Sequence, residues 1–523
     1  MGAEAQAGLK TLVSRNPANG EAVGEFPVVT ASEVLAAVRR ARAAQPDWER
    51  LGVQNRARIA KRFMRLLHER KADVARRISE EAGKPYGEAL ATEVLVVLEA
   101  ARFLAENAFR SLRDEHVPHA SLTAKAKAGR MLRQPYGVVG IISPWNYPFS
   151  IPAIQVLTAL VAGNAVVLKP SELTPACAEM VRSLVVQAGV PDEVFALVPG
   201  DGETGAALLE AEIDKVVFTG SVATGRRVAE AAATRLIPAV LELGGKDPMI
   251  VLDDADVEVA SSGAVWGAFV NAGQACLSVE RCYVHRSIYQ RFVTACVEKT
   301  RRLRVGAGLD PDTDVGPMIH ERQVRNVEAQ VQEAVADGAR VLCGGKRLPE
   351  LGPNFCAPTV IVDVTHSMRL MRDETFGPVL PIMSFETEEE AVTLANDSEF
   401  GLGASVWTKN RRRGERIASL LKAGTVMVND AVACFGIAEA PHGGVGFSGW
   451  GRTHGRQGLE EMVRLKYVDS DLAPGIRKPW WYGYGPAFAK GMESVADALF
   501  ASTLAGRLRG ALRSAGFLRR GRL

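Results

Sequence analysis

The sequence predicts an α/β protein built on parallel sheets, and three observations carry that prediction. Residues 134–168 contain no charged side chain at all. Short apolar runs (Val138–Ile142, 165–168, 195–198 and Lys215–Thr219) alternate with helical patterns, as strands buried on both faces do. The last run opens into Gly220-Ser221-Val222-Ala223-Thr224-Gly225 ahead of another helix, a strand-to-helix turn whose free N–H groups suit an anion. The charge-free stretch is long enough to suggest a membrane span. Pro144, Pro148 and Pro152 break a helix there, and Asn146 and Asn164 would place amides in hydrocarbon. It reads instead as strand, loop, buried helix and strand.

A chain of 523 residues exceeds one hydrophobic core, so two or three domains are expected. Hydrophobic content of 47% and charged content of 24% suit a soluble enzyme. The net charge of +3 conceals an asymmetry: residues 477–523 hold nine Lys/Arg against two Asp/Glu, leaving the body at −4. That body gives no reason to expect nucleic acid. Seven cysteines without a Cys-x-x-Cys pair, and no His cluster, predict a reducing, cytoplasmic setting and no metal site. The N-terminus lacks a charged segment followed by an apolar one, and Gln6 stands where a myristoylation signal requires Ser or Thr.

Taken in order, residues 1–30 read as irregular chain and short strands. Ser32 is the expected N-cap of a first helix, and further amphipathic helices are expected over 58–69, 72–82 and 88–109. Residues 111–136 lose helical periodicity, and Lys125, Lys127, Arg130 and Arg133 gather around Gly129. Two readings stand: an exposed strand pair offered to a partner subunit, or a solvated loop. The strand Val138–Ile142 ends in Ser143-Pro144-Trp145-Asn146-Tyr147-Pro148, and the next ends in Lys169-Pro170-Ser171-Glu172. Both loops lie at strand carboxyl ends, where open sheets bind ligands. Asn146 is either a turn residue or an amide donor to an oxyanion. Lys169 and Glu172 are either solvated charges or ligand-binding groups.

Asn271-Ala272-Gly273-Gln274-Ala275-Cys276 places a thiol among small residues that let a substrate approach, and Glu242 lies 34 residues upstream in Glu242-Leu243-Gly244-Gly245-Lys246. Alone, Cys276 reads as a structural thiol. Beside a carboxylate it reads as a nucleophile whose carbonyl adduct is released by water that the carboxylate activates.

Over residues 10–470 the chain resembles the NAD(P)-dependent aldehyde dehydrogenase superfamily. The matching motifs occur in order: Pro144-Trp145-Asn146-Tyr147-Pro148, Lys169-Pro170-Ser171-Glu172, Phe218-Thr219-Gly220-Ser221, Glu242-Leu243-Gly244-Gly245-Lys246, Gly273-Gln274-Ala275-Cys276, Glu374-Thr375-Phe376-Gly377-Pro378 and Gly443-Gly444-Val445-Gly446-Phe447-Ser448-Gly449. The resemblance implies two Rossmann-like parallel-sheet domains and a β-strand oligomerisation arm. The NAD-binding domain would take 1–110 and 138–242, the catalytic domain 243–445, and the arm 111–137 and 446–475. It implies a catalytic set of Cys276 as nucleophile, Glu242 as base, and Asn146 with the Cys276 N–H as oxyanion hole. It also implies a cofactor set: Lys169 and Glu172 on the adenosine ribose, Gly220, Ser221 and Gly225 at the pyrophosphate turn, Glu374 on the nicotinamide ribose, Phe376 beside the ring, and Trp145. No metal is implied. A carboxylate at 172 accepts from a free 2′-hydroxyl and repels a 2′-phosphate, which favours NAD, while Lys169 leaves NADP open. A homodimer or homotetramer is expected, with the strand near 463–469 crossing to a partner.

Two departures stand out. Pro441-His442-Gly443-Gly444 replaces the usual Pro-Phe-Gly-Gly, which leaves His442 as a substrate contact or a satisfied wall residue. The second is the extra tail, 476–523. Pro479-Trp480-Trp481-Tyr482-Gly483-Tyr484 precedes one helical pattern through Val495, Leu499, Phe500, Leu504, Leu508 and Leu512, with Arg507, Arg509 and Arg513 interleaved. It reads as a peripheral membrane contact or as a helix packed on the protein itself. The apolar Tyr147, Ile151 and Ile154 predict a hydrophobic aliphatic or aromatic aldehyde as substrate. The competing readings are a coenzyme A-acylating enzyme, which Glu242 disfavours, and a silent scaffold of the same fold, which has no use for Cys276, Glu242 and Asn146 together.

Overall fold

In the computed structural model the described residues are 10–121, 124–476, 478 and 480–520, without the side chains of 517–520. Met1, Gly2, Gln6, Arg477, Pro479 and Arg522, and the side chains of Arg519 and Arg520, lie outside them. The chain divides into two compact units, Met1–Arg113 with Gln134–Arg464, and Asp114–Arg133 with Leu465–Leu523.

The first unit holds two sheets. The strands β1 (Val138–Ile142), β2 (Ala165–Lys169), β3 (Phe195–Leu197), β4 (Lys215–Thr219) and β5 (Ala239–Glu242) form a parallel sheet in the order β5-β4-β1-β2-β3, with a short antiparallel strand, Gly449–Trp450, beside β5. Helix α1 (Ser150–Ala162) joins β1 to β2, and α2 (Val222–Thr234) joins β4 to β5. Every residue of α1 is buried, which explains why its sequence is apolar all round. The core beneath this sheet joins Phe63, Leu67, Ile78 and Leu104 to Ile141, Val166 and Leu168.

The second sheet contains β6 (Asp247–Val251), β7 (Val279–His285), β8 (Arg340–Cys343), β9 (Thr359–Val362), β10 (Val379–Phe385), β11 (Gly403–Trp407) and β12 (Thr425–Val428). Its order is β8-β9-β10-β7-β6-β11-β12, parallel except for the β8–β9 pair. Its core runs through Ile250, Phe292, Ile361, Ile382 and Val406.

The first helix spans Ala31–Arg50, and its cap is Thr30 rather than the expected Ser32. Thr30 is followed three residues later by Glu33: the Thr30 hydroxyl accepts from Glu33 N (3.4 Å), and Thr30 N donates to the Glu33 carboxylate (2.8 Å). Ser32 has Leu35 at that spacing and cannot build the reciprocal pair. Residues 86–112 form a helix interrupted by a π-turn over Leu90–Val94.

In the second unit, Glu115–Val117 pairs antiparallel with Lys127–Pro135, so the strand-pair reading of this stretch holds. Val463–Asp471 joins Lys127–Pro135 on its other side. The tail is not one helix. It forms α3 (Pro486–Phe500) and α4 (Leu504–Arg520), broken where Ala501 turns extended and Thr503 accepts from Gly506 N at 3.1 Å. The two pack closely, since a Cβ on Gly510 would meet the Asp497 backbone.

Candidate active site

Strands β1 and β4 are sheet neighbours whose connections leave in opposite directions, which opens a crevice at their carboxyl ends. A cleft of about 300 Å³ lies there. Trp145 and Asn146 after β1, Gly220 and Ser221 after β4, and Glu242 at the end of β5 line it from one side. Cys276, Glu374 and Phe376 line it from the second sheet. Eight of the eleven residues singled out by sequence therefore meet in one cavity. The other three stand apart from its lining. Lys169 at the end of β2 and Glu172 in the loop after it form an ion pair (3.4 Å), and Gly225 sits inside the first turn of α2, where a Cβ would come within 2.5 Å of Leu243. Ser221 caps α2 by accepting from Thr224 N at 3.3 Å, which leaves that helix start facing the cleft.

The loop that presents Cys276 is strained. Asn271, Ala272 and Gly273 all adopt left-handed backbone (φ of 53°, 54° and 73°), a conformation costing a non-glycine residue about 1 kcal/mol. Side chains hold it there. Asn271 donates to the carbonyls of Asn146 (2.9 Å) and Gln274 (3.0 Å), Gln274 Nε2 donates to Asn271 O (3.0 Å), and Gln274 Oε1 accepts from Ile319 N (2.9 Å). Asn146 Nδ2 donates to Gln274 O at 3.2 Å, which leaves its second hydrogen for a ligand.

The Glu374-Thr375-Phe376 segment hangs on Glu280, which accepts from the N–H groups of Thr375 and Phe376 (2.8 Å each) and pairs with buried Lys246 (2.6 Å). Phe376 stands edge-on to Trp145, with centroids 5.5 Å apart. Glu374 accepts from Gly245 N (2.9 Å), and a Cβ on Gly244 would fill the space its carboxylate occupies, at 2.6 Å.

Cys276 and Ile151 also line a second cavity of about 200 Å³, walled by Val96, Tyr147, Leu277, Val432 and Phe435, with the exposed residues Ala91 and Trp266 also in its lining. No charged side chain lines it among the described residues. The π-turn supplies Ala91 and Thr92 to this wall, an extra residue that re-aims the helix face. His442 is not in its lining; its aromatic walls are Tyr147, Trp266 and Phe435.

Burial, and then the charges of Asp247 and Glu242, push the Cys276 thiol well above the ordinary thiol range. Burial likewise raises the Glu242 carboxyl, against the pull of Arg452, and raises Glu374 to about 8. Sequence reasoning did not find His320, Arg322, Gln323 and Asn326, which line the cleft from the start of helix Glu321–Ala336. Nothing in that polar helix start distinguishes it from a solvated one. Tertiary contacts show its place: the ring of His320 lies against Trp145, 6.0 Å between centroids, and Gln323 donates to the carbonyls of Thr375 and Phe376 (3.1 Å each).

The model of the aldehyde dehydrogenase family matches residues 4–468. The chain is 40% identical over 495 residues to 4,4'-diapolycopene aldehyde oxidase of Methylomonas sp, covering 94% of this chain and 92% of that one. It is 41% identical over 459 residues to a Mycobacterium ulcerans (strain Agy99) protein provisionally named an NADP(+) succinate-semialdehyde dehydrogenase, with 88% and 87% covered. The NAD+ complex of aldehyde dehydrogenase from Bacillus cereus superposes with a TM-score of 0.85 at 36% identity, covering 88% of this chain and 94% of that one. Mycobacterium tuberculosis aldehyde dehydrogenase complexed with NAD+ gives 0.84 at 36% identity over the same shares.

Proposed function

Because the chain belongs to the aldehyde dehydrogenase family, we propose that it oxidises a long apolar aldehyde to the carboxylic acid, with NAD preferred over NADP and a thioester formed on Cys276. One observation carries this reading: the thiol that lines the polar crevice also lines an adjoining cavity with no charged side chain among its described lining residues. An aldehyde held in that cavity reaches Cys276 where the crevice also reaches it.

In this reading Cys276 attacks the carbonyl carbon. The oxygen's developing charge is received by the spare Nδ2 hydrogen of Asn146 and the Cys276 N–H, where losing one donor costs about 3 kcal/mol. Glu242 then takes a proton from the water that attacks the thioester, and the C–S bond breaks to return the sulfur. The crevice fits a dinucleotide: Gly220 and Ser221 at the α2 start suit the pyrophosphate, Glu374 a ribose, and Trp145 and Phe376 the ring. Lys169 and Glu172 would bind the second ribose, and Gly225 lets α2 pack close. When bound, the nicotinamide supplies the hydride acceptor and a positive charge that favours the thiolate. The uncharged cavity gives a succinate-type carboxylate no cation, so the mycobacterial relative's name is the poorer guide.

The free edge of Val463–Asp471, with Leu465 and Tyr467 exposed, suits pairing with a second copy in a homodimer or homotetramer. No helix among the described residues is long and apolar enough to cross a membrane. The tail hairpin exposes Trp481, Tyr482, Phe500, Leu504, Leu508 and Leu512 beside Arg507, Arg509 and Arg513, which suits an anionic lipid surface that also holds apolar aldehydes.

A panel of linear aldehydes from propanal to hexadecanal, with NAD and with NADP, tests the reading. Cofactor reduction should favour the longer chains and vanish in Cys276→Ala. A preference for succinate semialdehyde would overturn the substrate class, and a coenzyme A thioester without free acid would overturn the hydrolytic step.

A further inference from the structure

The His442 departure places an imidazole next to the base. His442 Nε2 lies 3.7 Å from Glu242 Oε2, and both residues are 5% exposed. Among the described residues neither oxygen of Glu242 has a hydrogen-bond partner, and His442 Nδ1 and His454 Nε2 also lack one. These groups face one another across a cavity of about 20 Å³ that also touches Cys276, Gln155 and Thr219. A single water needs roughly 10–15 Å³ and two to four polar partners, so the cavity suits one water. The rings are fixed in place. Phe435 stands edge-on to His442 (5.2 Å) and His454 (4.7 Å), and His442 N donates to Thr453 O at 2.9 Å.

We propose that His442 is the positioning residue of the hydrolytic step. Its Nε2–H closes on Glu242, keeps that carboxylate ionised and turned toward a water in the cavity it shares with Cys276, and leaves His454 to hold the same water from the far side. A carboxylate in a dry pocket without a donor takes up a proton and cannot act as a base. A shift of about 1 Å brings the imidazole to hydrogen-bonding distance. Burial, with Arg452 second, pushes His442 down to about 4, and burial pushes His454 down to about 3, so both rings are neutral at pH 7. A neutral ring can donate from one nitrogen and accept at the other. The other titratable and charged groups facing this pair are Cys276, Arg452 and Glu461. In the step, the water oxygen bonds to the thioester carbon, its proton passes to Glu242, and the C–S electron pair returns to Cys276.

The inference rests on the thioester reading above, and rapid mixing of NAD and aldehyde separates the two. His442→Phe should keep the wild-type burst of NADH while its steady-state rate at neutral pH falls roughly tenfold, the effect of one unit in the base's pKa. The acid limb of its kcat profile should move to higher pH, because the ionised base has lost its donor. Added hydroxylamine, which needs no base, should restore turnover. His442→Gln, whose amide can still donate, should recover part of the rate. A His442→Phe enzyme with the wild-type steady state and acid limb overturns the proposal, as does one that loses burst and turnover together. A wild-type enzyme that yields no NADH from any aldehyde overturns the thioester reading instead.

Discussion

Gly273 lies so close to Gly377 that a Cβ on the first would overlap the carbonyl oxygen of the second. The contact joins the strained turn ahead of Cys276 to the loop carrying Glu374 and Phe376, so the Cys276 thiol and the Glu374 carboxylate share one backbone junction. Gly273→Ala must both adopt a left-handed backbone (φ 73°) and push these loops apart. A misplacement of about 1 Å costs roughly 100-fold in rate. We expect kcat/KM to fall by that order while circular dichroism shows the fold retained. A variant within a few-fold of wild type would show that the two loops are not coupled.

The Lys84–Glu93 pair is the deepest ionic support of the site. Both side chains are fully buried at 2.8 Å; Lys84 also donates to Asn146 O (3.2 Å), and Glu93 accepts from Phe149 N and Ser150 N (2.9 Å each) at the start of α1. Glu93→Gln leaves a buried cation without its counter-charge, which costs about 3–5 kcal/mol. Urea unfolding should show a loss of that size. Replacing both residues, Lys84→Met with Glu93→Leu, should recover only part of it, because two helix-start N–H groups still lose their acceptor.

These two junctions also mark how far the sequence could be read. Strand β1, α1 and β2 were legible because burial on both faces leaves a continuous apolar run, and Gly220-Ser221 was legible because a strand-to-helix turn has few chemical solutions. Lys84 and Glu93 were not. In sequence Lys84 looks like a solvated turn charge and Glu93 like a charge on a solvated helix face, and only the tertiary fold brings Lys84 to the Asn146 carbonyl, 62 positions along the chain. The tail misled for the opposite reason: its apolar spacing runs unbroken through Phe500 and Leu504, and the break at Ala501–Thr503 depends on packing between the two halves. The left-handed turn before Cys276 leaves a trace in Gly273, but the adjoining Ala272 offers none.

The uncharged cavity fixes a prediction about chain length. Ala91 is exposed and lines it, so a bulky side chain there should obstruct a long substrate without disturbing the core. For Ala91→Trp, kcat/KM for hexadecanal should drop roughly tenfold or more, the range a changed apolar pocket contact produces, while propanal is unaffected. Equal losses for both aldehydes would show that this cavity does not hold the substrate.

Stability should carry the mark of Glu88. Burial, opposed first by Lys84 and then by the backbone N–H of Asn271 in the strained turn, pushes its carboxyl up from an ordinary 4.5 to about 7. An acid whose folded value is raised binds its proton more tightly in the folded state. Its contribution is therefore complete below the ordinary value and is lost as pH rises through about 7. Glu88→Gln keeps an acceptor and removes the titration. The melting temperature of the variant relative to wild type should rise between about pH 5 and about pH 8; a constant difference across that range would show that Glu88 does not titrate there.

The last prediction concerns the hairpin α3–α4. Phe500, Leu504, Leu508 and Leu512 are 58–79% exposed, and Arg507, Arg509 and Arg513 are interleaved with them. Near an anionic surface each cation contributes about 1 kcal/mol, so reversing these three charges should weaken binding by roughly 100-fold or more. Sedimentation of the full-length protein with phosphatidylserine-containing vesicles should show that loss for the triple Arg→Glu variant, and wild-type binding should weaken with salt. Leu508→Glu separates the remaining alternative. If the apolar face is covered by a second copy of the chain, that change alters the solution mass; if lipid covers it, the mass stays as it was and vesicle binding falls.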